Sequence, residues 1–409
     1  MPLDNFVKVL EAGLAELESA GTAKGAEQVV VRVEKAKDGY GPRYFLDGCG
    51  DRPFLRMNAN SYLGMSLRDE VVKAEEDGAA RFGVGPGAVR FISGTFEPHI
   101  ELEKKLAAFH GREDCMLTSS AYTSVMGVVS TLTTPETMII SDELNHNCII
   151  NAMKLSRPKS KKIYPHLDLG AFENCIIESI GECNSAIVIT DGVFSMRGDY
   201  APLNKICDII EKYNAEFPND IVLVVDDSHG AGAYGETGRG TEELTHADGV
   251  DILVATLGKA FGVNGGYIVS KKSVITFLRE KNPFYIYSNP ITPSEATAAL
   301  KAVNILDSDT GKALLKHLAA MTSKFENGLV SLGYETIPSP HPVVPLMVRD
   351  TQKTAELVAF LRDKGVLGTG LNFPVVPKGS QLIRFQVSAD HTIKDIDYAL
   401  GVLGEYKKK

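Results

Sequence analysis

Between about residues 100 and 290 the chain alternates helical stripes with seven short runs rich in apolar and β-branched residues, CMLTS, TMIIS, KKIYP, SAIVITD, DIVLVVDD, DILVAT and GGYIVS. Runs with so little polar alternation belong between two layers, so this stretch predicts a mostly parallel sheet covered by helices on both faces. In such sheets ligands bind beyond the carboxyl ends of the strands. The residues that follow the runs are rich in polar groups: Ser119 and Ser120, Asp142, Asp191, Asp226 to His229, and Thr256 to Lys259.

The pattern changes at YSNPITP, residues 287–293, after which long helices are expected at about 293–307, 310–332 and 351–364, with the strand VVPLMVR among them. The fold class is therefore α/β: a large domain over residues 61–292 and a smaller α+β domain over 293–409, with residues 1–60 packing against the latter. Phe6, Val9, Leu10, Leu14 and Leu17 share one helical stripe, which predicts an amphipathic first helix and not a signal peptide. Apolar runs are far below the ~20 residues that a membrane span requires. With 43 Lys and Arg against 52 Asp and Glu, the net charge of −9 argues against a nucleic-acid partner. The six cysteines form no CxxC and the nine histidines no HExxH, so no metal site is expected, and reduced thiols fit a cytoplasmic location.

Two adjacent carboxylates end the apolar strand at Asp226 and Asp227. Burying them is costly unless a cation pairs with them, or unless they cap the turn that follows. Further on, DILVAT runs into TLGKAFG, where Lys259 can be held partly desolvated and nucleophilic toward a carbonyl. Taken singly, each residue has an ordinary structural explanation. Together, a strand-end Asp and a strand-end Lys are what pyridoxal phosphate requires, the Lys for a Schiff base and the Asp for the pyridinium nitrogen. A phosphate seat is offered where Ser119, Ser120, Ala121 and Tyr122 lead from a strand into a helix, with Thr256 adding a hydroxyl. GVGPG at 83–87 lacks the spacing of a nucleotide cradle and is taken as a flexible turn.

NANSYLG (58–64), GVGPGAVRFISGT (83–95), SDELNHN (141–147), TDGVFSMRGD (190–199), DDSHGAG (226–232), GETGRG (235–240), TLGKAFG (256–262), FPVVPKG (373–379) and IRFQVSADHT (383–392) occur in an order that resembles the α-oxoamine synthases. These are fold-type I pyridoxal-phosphate enzymes, and the likeness runs from about residue 40 to 400, with the glycine C-acetyltransferase branch most similar. The resemblance implies Lys259 as Schiff-base lysine and proton carrier, Asp226 on the ring nitrogen, His229 on the phenolic oxygen and His146 stacked on the ring. It also implies Ser195 on a cofactor oxygen or the substrate, Arg384 with Asn60 on the amino-acid carboxylate, and Ser288 or Asn289 reaching the phosphate of a neighbouring subunit in a homodimer with shared active sites.

The reaction so implied is condensation of an amino acid, glycine first, with an acyl-CoA, acetyl-CoA first, releasing coenzyme A. Serine with a long acyl-CoA and alanine with pimeloyl-CoA are the nearest alternatives. Aminotransfer on the same fold would use the same Lys, Asp and His, whereas a non-catalytic binding subunit would have no need to keep them. Two departures from the family pattern stand near the site. Ala121 and Tyr122 replace a small or Cys residue followed by an aromatic, and Arg197 replaces an acidic residue, either to meet an acidic acyl group or coenzyme A phosphate or to pair with Asp199.

Overall fold

The computed structural model describes residues 3–20, 22–23, 25–373 and 375–408. A helix over Asp4–Ser19 precedes a hairpin of β1 (Val30–Glu34) and β2 (Arg43–Leu46) and the short β3 (Leu55–Arg56). The large sheet comprises β4 (Asp114–Thr118), β5 (Thr137–Asp142), β6 (Ser160–Tyr164), β7 (Ser185–Asp191), β8 (Ile221–Asp226), β9 (Ile252–Thr256) and β10 (Gly266–Ser270). Their order is β4-β10-β9-β8-β7-β5-β6, and only β10 runs antiparallel to its neighbours. The α/β sheet read from the seven apolar runs is thus present.

Successive side chains of a strand point to opposite faces, and here each face meets its own core. Leu223 and Val225 of β8 enter the larger hydrophobic cluster together with Ala186, Val188, Leu253 and Ala255. Val224 enters the second with Ile187, Ile189, Ile252 and Val254. Burial on both faces explains why these runs lack the polar alternation of half-exposed strands. KKIYP differs, because β6 lies at the sheet edge and leaves Ser160, Lys161 and Ile163 exposed while Tyr164 is buried.

The helices expected beyond residue 293 form at Pro293–Leu306, Asp309–Ser331 and Thr351–Asp363. The first begins at the end of YSNPITP, where Thr292 caps it, Glu295 closes a capping box and Pro293 occupies the first turn. A second sheet joins β11 (Glu335–Thr336), β12 (Val343–Met347), β14 (Thr369–Leu371) and β15 (Leu382–Gln386) in the antiparallel order β11-β12-β15-β14. Between them in sequence, β13 (Val366–Leu367) pairs in parallel with β3. The Asp4–Ser19 helix buries none of its residues, and its apolar stripe faces outward.

Asp395 ties the two ends of the chain together. Its fully buried carboxylate accepts hydrogen bonds from Gly41 N (2.8 Å), Thr392 N (2.8 Å), Thr392 Oγ1 (2.9 Å) and Arg43 Nη2 (2.6 Å). Removing one partner of a buried ion pair strands the other, so Asp395→Ala is expected to lower unfolding free energy by about 3–5 kcal/mol in urea denaturation. A loss below about 1 kcal/mol would show that the linkage contributes no more than an exposed pair.

Candidate active site

The strand ends of the large sheet open onto a cavity of about 250 Å³. Nine of the residues expected from sequence line it: Ser120, Ala121, Tyr122, His146, Ser195, Asp226, His229, Thr256 and Lys259. Cys148, Asp191, Val193 and Ser228 line it as well, although sequence reasoning gave them no role in the site. Asp191 was noted only as a strand-end polar residue; the signal in the sequence was that SAIVITD, like DIVLVVDD, ends in Asp, and the structure pairs Asp191 with Asp226 in register across β7 and β8.

The adjacent carboxylates have separate surroundings. Asp227 caps the helix Thr241–Thr245, accepting from Thr241 N at 2.7 Å and Thr241 Oγ1 at 2.6 Å, and burial raises its pKa to about 7. Asp226 lies on the cavity wall, where Oδ1 accepts from Ser228 Oγ at 2.5 Å and Ser228 N at 3.1 Å. Its Oδ2 meets Cys148 Sγ at 3.5 Å. The capping explanation of the dipeptide therefore holds for Asp227, while Asp226 is met by Ser228 and Cys148 and by no cation among the described residues.

Lys259 follows β9, and its side-chain amine has no hydrogen-bond or ion-pair partner among the described residues. Burial holds its amine below the usual lysine range, with the Arg384 charge adding to the effect, while Asp226 and Asp191 oppose it. His146 caps the helix Asn147–Leu155. Its backbone N–H donates to Asp191 Oδ2 at 2.8 Å, and its Nδ1 accepts from Cys148 N at 3.2 Å. Burial, together with the Lys259 charge, depresses its pKa. Asp191 is pushed up by burial and then by the neighbouring Asp226.

Ser120 caps the helix Ala121–Leu132, taking Thr123 N at 3.2 Å. The next backbone N–H groups, of Ala121 and Tyr122, have no acceptor one turn earlier, as at any helix start, and both residues line the cavity. Gly266 backs this turn so closely that a Cβ there would stand 2.3 Å from Ala121 N. Thr256 Oγ1 bonds Gly265 O at 3.1 Å and accepts Gly258 N at 3.1 Å, bracing the lysine loop. The Tyr122 hydroxyl donates to Asn147 Oδ1 at 2.9 Å.

The other four expected residues do not line the cavity. Arg384, from the middle of β15, donates from Nη1 to Ser195 O at 3.0 Å, and its buried Nε has no partner. Asn60 Oδ1 accepts a hydrogen bond from Gln386 Nε2. Ser288 and Asn289 sit on the segment just after the turn Pro283–Ile286, beside Tyr287, which is 80% exposed. Arg197 pairs with Asp199, Nε to Oδ2 at 2.6 Å, as one of its two expected roles required. The described residues contain no cluster of metal-ligating side chains.

The model of the aminotransferase class I and II family matches residues 52–403. Among curated relatives, the 8-amino-7-oxononanoate synthase of Petrotoga mobilis is 36% identical over 399 residues, covering 97% of this chain and 96% of the relative. The mitochondrial 2-amino-3-ketobutyrate coenzyme A ligase of Homo sapiens is 36% identical over 392 residues, covering 95% and 89%. The chain belongs to the α-oxoamine synthases. It is thus a pyridoxal-phosphate-dependent enzyme of the acyltransferase type. A serine palmitoyltransferase structure from Sphingomonas wittichii shares the fold, with a TM-score of 0.87 at 24% identity, covering 99% of this chain and 98% of that one. This α-oxoamine synthase keeps the fold-type I layout, and no described helix is long and apolar enough to cross a membrane.

Beside the cavity, His166 bridges Asp142 (Nδ1 to Oδ1, 3.0 Å) and Asp199 (Nε2 to Oδ2, 3.3 Å). Burial opposes its charge, but the two carboxylates outweigh burial and raise its pKa to about 9 from 6.5. The protonated ring therefore favours the folded state. That contribution is complete below pH 6.5 and disappears as pH rises through about 9. Its size is on the order of 3 kcal/mol. Denaturant midpoints taken from about pH 6 to about pH 10 should fall less steeply for His166→Gln than for the unmodified protein, and equal slopes would refute the assignment.

Proposed function

We propose that Lys259 carries pyridoxal 5'-phosphate in this cavity and that the enzyme joins an amino acid to an acyl-CoA, with release of free coenzyme A. The observation that carries this is the convergence on one cavity of an unpaired, pKa-lowered lysine, a buried carboxylate and a helix start with open N–H groups. The donor set fits the group: Ser120, Ala121, Tyr122 and Thr256 for a phosphate, Asp226 for a protonated ring nitrogen, and a free amine for an aldehyde. When bound, the cofactor supplies an electron sink that spreads carbanion charge into its ring.

The protein's own residues then divide the work. The Lys259 amine, whose pKa burial lowers, is assigned to take a proton from the substrate α-carbon and return it. Asp226, buried and anchored by Ser228, would keep a proton on the ring nitrogen. His146, whose Nδ1 is already occupied by Cys148 N so that its Nε2 carries the proton, would hold the ring by stacking. His229 would meet the phenolic oxygen, and Ser195 a cofactor oxygen or the substrate. Arg384 retains donors beyond the Nη1 bound to Ser195 O, and with Asn60 these are assigned to the amino-acid carboxylate.

Ser288 and Asn289 are assigned to the phosphate of a second copy, which makes the enzyme a homodimer sharing its active sites. The exposed Tyr287 beside them and the outward apolar stripe of the first helix support a partner of the same chain. A cytoplasmic location belongs to the same proposal.

Glycine with acetyl-CoA is the first substrate pair. Alanine with pimeloyl-CoA is the second, favoured by relatives named 8-amino-7-oxononanoate synthase at 36% and 38% identity. Coenzyme A release should be measured with acetyl-, pimeloyl- and palmitoyl-CoA against glycine, alanine and serine. One pair is expected to give release that Lys259→Ala abolishes, together with loss of the lysine-bound cofactor's absorption. Transfer of the amino group to a keto acid without thiol release would replace condensation with aminotransfer.

A further inference from the structure

His229 is held at two points. Its backbone carbonyl accepts from His341 Nε2 at 2.9 Å, and its ring Nδ1 lies 2.8 Å from the Tyr62 hydroxyl. His341 is itself fixed, because its Nδ1 accepts Val343 N at 3.1 Å and so its Nε2 carries the proton. Tyr62 is fully buried, and its ring meets that of His341 edge-on with centroids 5.3 Å apart. The remaining His229 ring nitrogen, Nε2, has no partner among the described residues, and the ring lines the cavity.

The direction of the Tyr62–His229 bond decides what His229 offers there. Among the described residues the hydroxyl's other hydrogen-bond partner is Asn60 Oδ1, an acceptor at 3.4 Å. That oxygen already receives Gln386 Nε2. Exchanging the oxygen and nitrogen of both amides would instead give Gln386 Oε1, buried without a partner, a donor from Asn60. Asn60 would then also donate toward the hydroxyl oxygen. With the exchanged amides the hydroxyl accepts from Asn60 and its single proton goes to Nδ1, and this orientation is the one that also satisfies Gln386 Oε1. Burial, with the Lys259 and Arg384 charges adding to it, holds His229 well below the usual histidine range, so the neutral ring has a single proton to place. Burial likewise keeps the phenol protonated.

We propose that Tyr62 is a positioning residue that sets His229 as the Nε2–H tautomer, so that the imidazole presents a hydrogen-bond donor, and not an acceptor, to an anionic oxygen in the cavity. The purpose of that donor rests on the cofactor assignment above, since a hydrogen-bond donor, and not an acceptor, stabilises a phenolic oxygen as the anion. The tautomer itself is independent of that assignment.

The test has two arms. In the first, ¹⁵N spectra of histidine-labelled, cofactor-free protein should show His229 protonated at Nε2, and Tyr62→Phe should lose that preference. A wild-type proton on Nδ1 would overturn the proposal whether or not the variant folds. In the second, the pH midpoint of the lysine-bound cofactor's absorption should rise by about one unit in Tyr62→Phe, a tenfold change in proton affinity. Tyr234→Phe serves as control, because it removes a hydroxyl from the same aromatic cluster, bonded to Ser339 at 3.4 Å, without touching the His229 ring. Equal midpoints in Tyr62→Phe and wild type, or equal shifts in both variants, would reduce Tyr62 to a packing residue. Absence of a lysine-dependent band in wild type would overturn the cofactor assignment instead, and the first arm would still decide the tautomer.

Discussion

A strand buried on both faces can place polar side chains only at its ends, and β8 ends in two carboxylates that water does not reach freely. Each must find compensation inside the protein. Asp227 finds it in the Thr241 cap, which also holds the GETGRG turn against the sheet end. Asp226 finds only part of it, in Ser228 and the Cys148 thiol, and is left facing a cavity. The rest of the site is arranged around that incompletely compensated charge.

Lys259 approaches from β9 and Asp191 from β7, so three neighbouring parallel strands deliver one cation and two carboxylates to the same volume. Burial, and after it repulsion from Asp226, pushes the Asp191 pKa up, while the backbone N–H of His146 opposes the shift. Burial has the opposite consequence for the bases, holding Lys259 and His146 below their ordinary values. Groups whose environments push their protonation in opposite directions are the usual basis for acid and base chemistry near neutral pH. The turn at Ser120 and Ala121 is backed closely by β10, since the backbone at Gly266 leaves no room there for a Cβ.

Much of this was legible in the chain. The apolar runs announced the sheet because burial on both faces leaves no room for polar alternation, and Thr292 with Pro293 marked a helix start by capping chemistry. Lys259 and Asp226 were legible because each stands at the end of an apolar strand, whereas His146 and His229 came only from the resemblance carried by the motif order. Cys148, Asp191 and Tyr62 were not assigned to the site. A small thiol in an apolar segment reads as core, a strand-end Asp as a cap, and a tyrosine in NSYLG as packing, and nothing local shows what each faces.

Sequence by itself determined the elements, the strand-end polar residues and the family, because these depend on periodicity, capping and motif order within short windows. Only the tertiary structure decided which of two adjacent carboxylates faces the cavity, that Arg197 pairs with Asp199, and that Tyr62 meets His229 across 167 positions of chain. Those outcomes depend on how a buried group is compensated, and its partners come from segments that only the packed fold brings within hydrogen-bond distance.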